Sequence, residues 1–491
     1  MKRSYWILAG IVVVAIVLRL LAINTRDIQY DDAFTILLSS RSLADIVSGT
    51  AADTMPPLFY FILHFWGSII DEIWFYRVLS ILFNLGAMFG VYTIASRVSP
   101  SSGIWSAFLF AISPLQIYHS QDIRMYAFLE LCLIWYLYFS YRLYFSESNP
   151  SNRLLFNSGL IITGICALYT HNIAGFMIII PSAVLVLLKK WKSLLDLAGK
   201  QLIILFLFIP WLLVLPGQVG KISTAFWTPR PGLLEVVQAV ILWHSSLPLP
   251  GQWIAAGTGI SVLIFIFVIY LVIRNPQPGN HKAFLVFAAF LPPVLLFGLS
   301  YLMRPLFVPR VFIASQAIYL VLAGVIISKT SLSWIKYGIA GLFLAAALIG
   351  NLYQIQYDKF PRSPHRQAAK SLEELDLTNA IIVHDNKLSF FPFHVHSPDL
   401  FQTYLADEPG NFNDTLATQT QAVLGLMASK NIQIAVDNKE MVVFVTYDEV
   451  FVEYSEIGQE HPNFTWLNDR FLLKQENIFN DLHLFYFIEE D

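Results

Sequence analysis

Two carboxylates stand side by side at Asp31 and Asp32, in the stretch RDIQYDDAFT that follows a long apolar run. An adjacent acidic pair is more than a helix cap requires. It offers a general base, a cap favoured by the helix dipole, or both. In IYHSQDIRMYAF, His119, Asp122, Arg124 and Tyr126 fall where one apolar run ends and the next begins. An arginine at membrane depth costs roughly 2.5–3.5 kcal/mol unless it is paired or hydrated. Arg124 therefore either pairs with Asp122 or holds an anion. A guanidinium matches phosphate oxygens two at a time, which makes phosphate the natural ligand. RPLFVPR brackets two prolines with Arg304 and Arg310, and LYTHNIAGF sets His171 between two apolar runs. Asp31, Asp32 and Asp122 are also candidate ligands for a divalent metal, magnesium or manganese, but only with further oxygen ligands, and no metal-ligand spacing demands one. Walker loops, HExxH helices and serine-nucleophile elbows do not occur in the sequence.

The elements that must position these residues are apolar. Of the 491 residues, 56% are hydrophobic and 13% charged, against about 25% charged in a soluble domain. The chain reads as a polytopic α-helical membrane protein. Its net charge of -3 argues against nucleic acid as the main partner. Cys132 and Cys166 both lie in apolar runs and read as packing residues. Runs long enough to span lie near 5–23, 73–97, 103–119, 124–145, 154–170, 173–188, 200–216, 252–273, 283–303, 306–328 and 333–352, about eleven transmembrane helices. The run 56–70 opens on two prolines and is short for a span, so it reads as a re-entrant or interfacial helix. The apolar spacing of Phe34, Leu37, Leu38, Leu43, Ile46 and Val47 predicts an amphipathic helix lying on the membrane. The segment 217–251 reads as an interfacial helix and lid.

If 56–70 does not cross, the loops at Arg97, Arg142–Arg153, Lys189–Lys192, Arg274–Lys282 and Lys329–Lys336 all fall on the cytoplasmic side, as the positive-inside bias requires. The same parity sends Asp31, Asp32, His119, Asp122, Arg124, His171, His244 and Arg304 to the opposite face. A transmembrane domain is thus expected over 1–353. A soluble extracytoplasmic α/β domain is expected over 354–491, with strands at 380–384, 432–436, 441–447 and 482–488 and helices from Gln367 and over 414–430.

Taken in order, the acidic pair, MPPLFYFILHFW, SQDIRMYAF, YTHNIAGF, RPLFVPRVF and RSPHRQAAKSLEEL resemble the family-39-like GT-C glycosyltransferases. That group takes in protein O-mannosyltransferases, the aminoarabinose transferase of lipid A and related bacterial membrane enzymes. The likeness runs over roughly residues 1–375. It implies an inverting transferase that uses a polyprenyl-phosphate-linked sugar and acts on an acceptor lipid, glycan or protein outside the cytoplasm, in a bacterial inner membrane. It implies Asp31 as the base, Asp32 and Asp122 as supporting acids, and Arg124, Arg304 and Arg310 as binders of the donor phosphate. His171, Tyr126 and His119 are then substrate-binding. Asp32 stands where the family has Glu, and Val311 follows Arg310 where the family usually has Tyr.

A lipid or polysaccharide transporter is the alternative from another class. It predicts inverted repeats and broken helices near the bilayer midplane, and no internal repeat is visible in the sequence. A membrane scaffold with a partner-binding tail is a third reading; it leaves the acidic pair and the outward arginines without a role.

Overall fold

The apolar runs fold as helices, and prolines set where several of them break. The structure, a computed structural model, describes residues 2–21, 23–146, 152–225, 230–274, 279–302, 307–356, 362–375, 379–407 and 416–489. Among the described residues, seven helices are long and apolar enough to cross a membrane: Ile73–Ser96, Arg153–Thr170, Trp191–Leu212, Gly251–Arg274, Asn280–Leu302, Pro309–Lys329 and Ser333–Gln356. Lys2–Leu20 and Tyr126–Tyr144 are helical as well. The expected run 103–119 divides into Pro100–Ile112 and Pro114–Ser120. Pro114 has no amide hydrogen to continue the first helix but suits the start of the second. In the same way, 173–188 divides into Ala174–Ile178 and Ile180–Leu187 next to Pro181. The 56–70 run yields only the short helix Leu58–Gly67.

The chain forms two compact units, Met1–Ile23 with Thr54–Gln356, and Asn24–Asp53 with Tyr357–Asp491. The first loop, Asn24–Asp53, thus groups with the tail. In the first unit the Pro309–Lys329 helix is the most enclosed of the long helices. Gly324 lets it approach Ser106 so closely that a Cβ there would sit 2.2 Å from the serine Oγ.

The second unit is built on a five-stranded sheet of order β2-β1-β3-β5-β4: β1 Ala380–His384, β2 Gln402–Tyr404, β3 Met441–Tyr447, β4 Phe471–Phe479 and β5 Leu482–Glu489. β1 pairs in parallel with β2 and β3, whereas β5 runs antiparallel to β3 and β4. Alternate residues face two cores. Ile382, Val443, Val445 and Leu484 join Ala369, Leu372 and Phe393 on one face. Val383, Val442, Phe444 and Phe485 join Ile432 and Leu467 on the other. Burial on both faces explains why these strands read as unbroken apolar runs.

The expected strand 432–436 is instead a helical turn, Ile432–Ala435. Asn431 caps it, its side chain accepting from the Ile434 amide at 2.9 Å, which turns Ile432 and Ala435 to one buried side. The amphipathic helix expected after Asp32 is two helices, Tyr30–Ser39 and Leu43–Ala52, because Ser42 caps the second through the Asp45 amide. Part of its apolar face is covered by protein: Phe34 lies against Phe391 at a ring separation of 6.3 Å, and Leu38 against Gly49, whereas Leu43 and Val47 stay exposed.

Candidate functional site

In the first unit, helix ends and turns bring His119, Asp122, Arg124, Tyr126, His171 and Arg310 into one cluster. His119 ends the Pro114–Ser120 helix, Tyr126 starts the next long helix, and the bend between them carries Asp122 and Arg124. His119 Nδ1 and Asp122 Oδ2 are 2.7 Å apart. The Asp122 carbonyl accepts from Ser80 Oγ at 2.7 Å, which pins the bend to the Ile73–Ser96 helix. Tyr126 is the hub. Its ring lies 5.3 Å from that of His119 and 6.4 Å from that of His171, with the Arg310 guanidinium 5.8 Å from its centroid.

His171 follows the Arg153–Thr170 helix and is 4% exposed. Its Nδ1 accepts the Ile173 amide at 3.2 Å, so the proton of the neutral ring sits on Nε2. Burial, and then the charges of Arg124 and Arg310, push its pKa down to about 3. A neutral imidazole donor is thereby flanked by two guanidiniums. Such a set suits an anion with several oxygens. Arg304, expected beside them, lies outside the described residues.

The acidic pair belongs to the second unit, where the two acids differ in setting. Asp32 is buried, and its Oδ2 accepts the Gln29 amide at 3.3 Å, at the start of the Tyr30–Ser39 helix. Asp31 is half-buried, and its carbonyl accepts from Thr35 Oγ1 at 2.8 Å. Tyr30 sits edge-on to Phe391 at 5.3 Å, and its ring is 5.8 Å from the Lys387 ammonium, which pairs with Asp407.

A residue absent from the sequence reading anchors this segment. Asp27 accepts from His396 Nε2 at 2.7 Å, the Arg366 amide at 2.6 Å and the Ile28 amide at 2.9 Å. Burial pushes its carboxyl up. The His396 hydrogen bond, the charges of His396 and His365 and the Arg366 amide outweigh that and hold it below the usual value. His365 links the Ile28 carbonyl, at 3.1 Å, to the Tyr447 hydroxyl, at 2.9 Å. The sequence signal was the pairing of Asp27 with histidines far along the chain, which spacing does not reveal. Among the described residues no three of His, Cys, Asp or Glu converge as metal ligands.

No protein-family model matches the chain, and no curated protein matches its sequence. Solved structures do match. ArnT from Cupriavidus metallidurans in its apo state superposes with a TM-score of 0.64 at 11% identity, covering 99% of this chain and 98% of that one. The same protein bound to undecaprenyl phosphate gives 0.63 at 11%, covering 98% of each. The Archaeoglobus fulgidus oligosaccharyltransferase tethered to an acceptor peptide gives 0.52 at 11%, covering 100% of this chain and 74% of that one. Likeness at this identity speaks for the fold alone, and the fold is one this chain shares with these two transferases over nearly its whole length.

Proposed function

We propose that the chain is an inverting glycosyltransferase of the membrane. It moves a sugar from a polyprenyl-phosphate-linked donor to an acceptor hydroxyl on the extracytoplasmic side. The observation that carries this reading is Arg310 over the Tyr126 ring beside buried His171, where the charges of Arg124 and Arg310 are both felt, in a chain folded like one that has been seen with undecaprenyl phosphate. The parity of the apolar runs and the basic loops supports the outward orientation.

In this reading the donor phosphate lies against Arg124, Arg310 and the Nε2–H of His171. The Asp31 carboxylate takes the proton of the acceptor hydroxyl. The acceptor oxygen bonds to the anomeric carbon from the face opposite the phosphate. The carbon–oxygen bond to phosphate breaks, and its electron pair leaves with the lipid phosphate. The guanidiniums meet the growing negative charge on the leaving group. Fixed donors of this kind are each worth on the order of 3–4 kcal/mol in the transition state. Asp32 serves as the helix cap beside the base, and Asp122 orients His119.

The test is transfer of radiolabel from a polyprenyl-phosphate sugar to membrane extract by the purified protein. Wild type is expected to transfer label, and Asp31→Asn to lose roughly 10²-fold or more of the turnover while still binding polyprenyl phosphate. Transfer undiminished in Asp31→Asn would overturn the base assignment. Movement of the labelled lipid across a bilayer without any transfer would overturn the reaction class in favour of a transporter.

A further inference from the structure

Next to the His119–Tyr126 cluster along the same helices, the first unit buries a chain of hydrogen-bonded polar side chains. Arg19 Nε donates to Asn84 Oδ1 at 2.7 Å. Asn84 Nδ2 donates to Gln116 Oε1 at 2.7 Å and to Glu130 Oε2 at 3.0 Å. Gln116 Nε2 donates to Glu130 Oε1 at 2.7 Å and to Gln316 Oε1 at 2.9 Å. Gln316 Nε2 passes the chain on to Ser113 Oγ and to the Trp243 carbonyl, both at 3.0 Å. Arg19, Asn84, Gln116, Glu130 and Gln316 are each 0% exposed.

Ionisable groups inside a membrane bundle are costly and mark function more often than stability. Arg19 and Glu130 meet only through Asn84, and buried polar partners replaced together by apolar groups of the same shape are often neutral or stabilising. Stability alone therefore does not account for Arg19 and Glu130. Their placement does. Gln116 lies one turn before His119 on one helix, and Glu130 one turn after Tyr126 on another. Gln316 stands in the first turn of the helix that continues from Arg310. The Arg19 and Leu21 carbonyls accept from Gln121 Nε2 at 2.9 and 2.6 Å, next to Asp122. Each element that brings His119, Asp122, Tyr126 or Arg310 to the cluster is thus tied to the network next to it.

We propose that Arg19, Asn84, Gln116, Glu130 and Gln316 are positioning residues. They fix the axial register of three helices and one bend, so that Arg124 and Arg310 face one phosphate. The proposal rests on the phosphate-binding reading given above. Displacement of a binding group by about 1 Å can cost on the order of 10²-fold in rate.

The experiment compares the wild type, the apolar pair Arg19→Met with Glu130→Leu, and Glu130→Gln. It measures thermal unfolding in detergent, binding of a polyprenyl phosphate, and kcat and KM for transfer. The apolar pair is expected to unfold cooperatively within a few degrees of wild type, yet to bind polyprenyl phosphate at least about tenfold more weakly and to turn over 10- to 100-fold more slowly. In an Arg124→Ala background the same pair should add less than about threefold, because the network acts through that residue. Wild-type binding and kcat in the apolar pair would overturn the proposal. So would a fully additive loss in the Arg124→Ala background. Failure of both the apolar pair and Glu130→Gln to fold would assign the network to stability and overturn it too. A wild-type protein that binds no polyprenyl phosphate would overturn the functional reading and this proposal together, whereas equal binding by wild type and the apolar pair overturns this proposal alone.

Discussion

Asp27→Asn is the most informative single change outside the two clusters. Asp27 is 11% exposed at its side chain and receives three hydrogen bonds, with Oδ1 taking His396 and Ile28 and Oδ2 taking Arg366. An asparagine can keep the Oδ1 pair only by turning its NH₂ toward the Arg366 amide, donor against donor. The lost bond to a charged acceptor is worth about 1.5–3 kcal/mol, and a buried amide without its acceptor costs about 1–3 more. The sum is roughly 2.5–6 kcal/mol. The segment that Asp27 secures runs directly into the Tyr30–Ser39 helix. Amide hydrogen exchange in that helix, followed by mass spectrometry in nanodiscs, should therefore quicken by roughly 10²- to 10⁴-fold. Protection changed by less than about threefold would refute the anchoring role. The pH dependence adds a sign. The folded carboxyl sits below the unfolded value of 3.8. Its contribution is present above 3.8 and is lost as pH falls through the lower, folded value.

His365 gives an opposite handle at milder acidity. Burial holds its pKa down to about 4, against the raising influence of Asp27 and the Ile28 carbonyl, from a usual 6.5. The unfolded chain alone takes up the proton between those values, so stability is complete above 6.5 and falls by about 3 kcal/mol as pH drops to 4. His365→Gln should flatten that slope in a pH series of melting curves, and an unchanged slope would assign it to other groups. Gly324→Ala should destabilise the first unit by about 1–3 kcal/mol through overpacking on Ser106, seen as a lower melting temperature. The added Cβ would also lie 2.6 Å from the Ser106 backbone nitrogen, so Ser106→Gly should restore only part of the loss, and an unchanged melting temperature in Gly324→Ala would count against the contact.

Several parts of this architecture could be read from residue order because local physics decides them. β1, β3 and β5 are apolar on both faces, so composition alone marks them. β4, FLLKQENIF, is a sheet-edge strand that is apolar at its two ends and polar from Lys474 to Asn477, and its weak pattern hides it. The 432–436 stretch looks like a strand until Asn431 is recognised as a cap, and Ser42 divides the helix after Asp32 in the same way. In the candidate site, His119, Asp122, Arg124, Tyr126, His171 and Arg310 stood out because each is polar at the end of an apolar run. Asn84, Gln116 and Gln316 did not, since an uncharged amide hardly disturbs the hydropathy of a helix. What convicts them is their mutual hydrogen bonding, which only the folded chain displays.

The nested order of the two units sets a timetable for making the protein. The Asp27 segment leaves the ribosome long before its partners, because Arg366 and His396 follow Asp27 by 339 and 369 positions. The first loop must wait, unpaired, through the insertion of nearly every apolar helix before its neighbours exist. A chain stopped after Gln356 would carry the described helices of the first unit, yet its acidic pair would stay on a loop that never acquires its second half. Such a product would reach the membrane as an unfinished protein, exposed to quality control at the one segment that closes last.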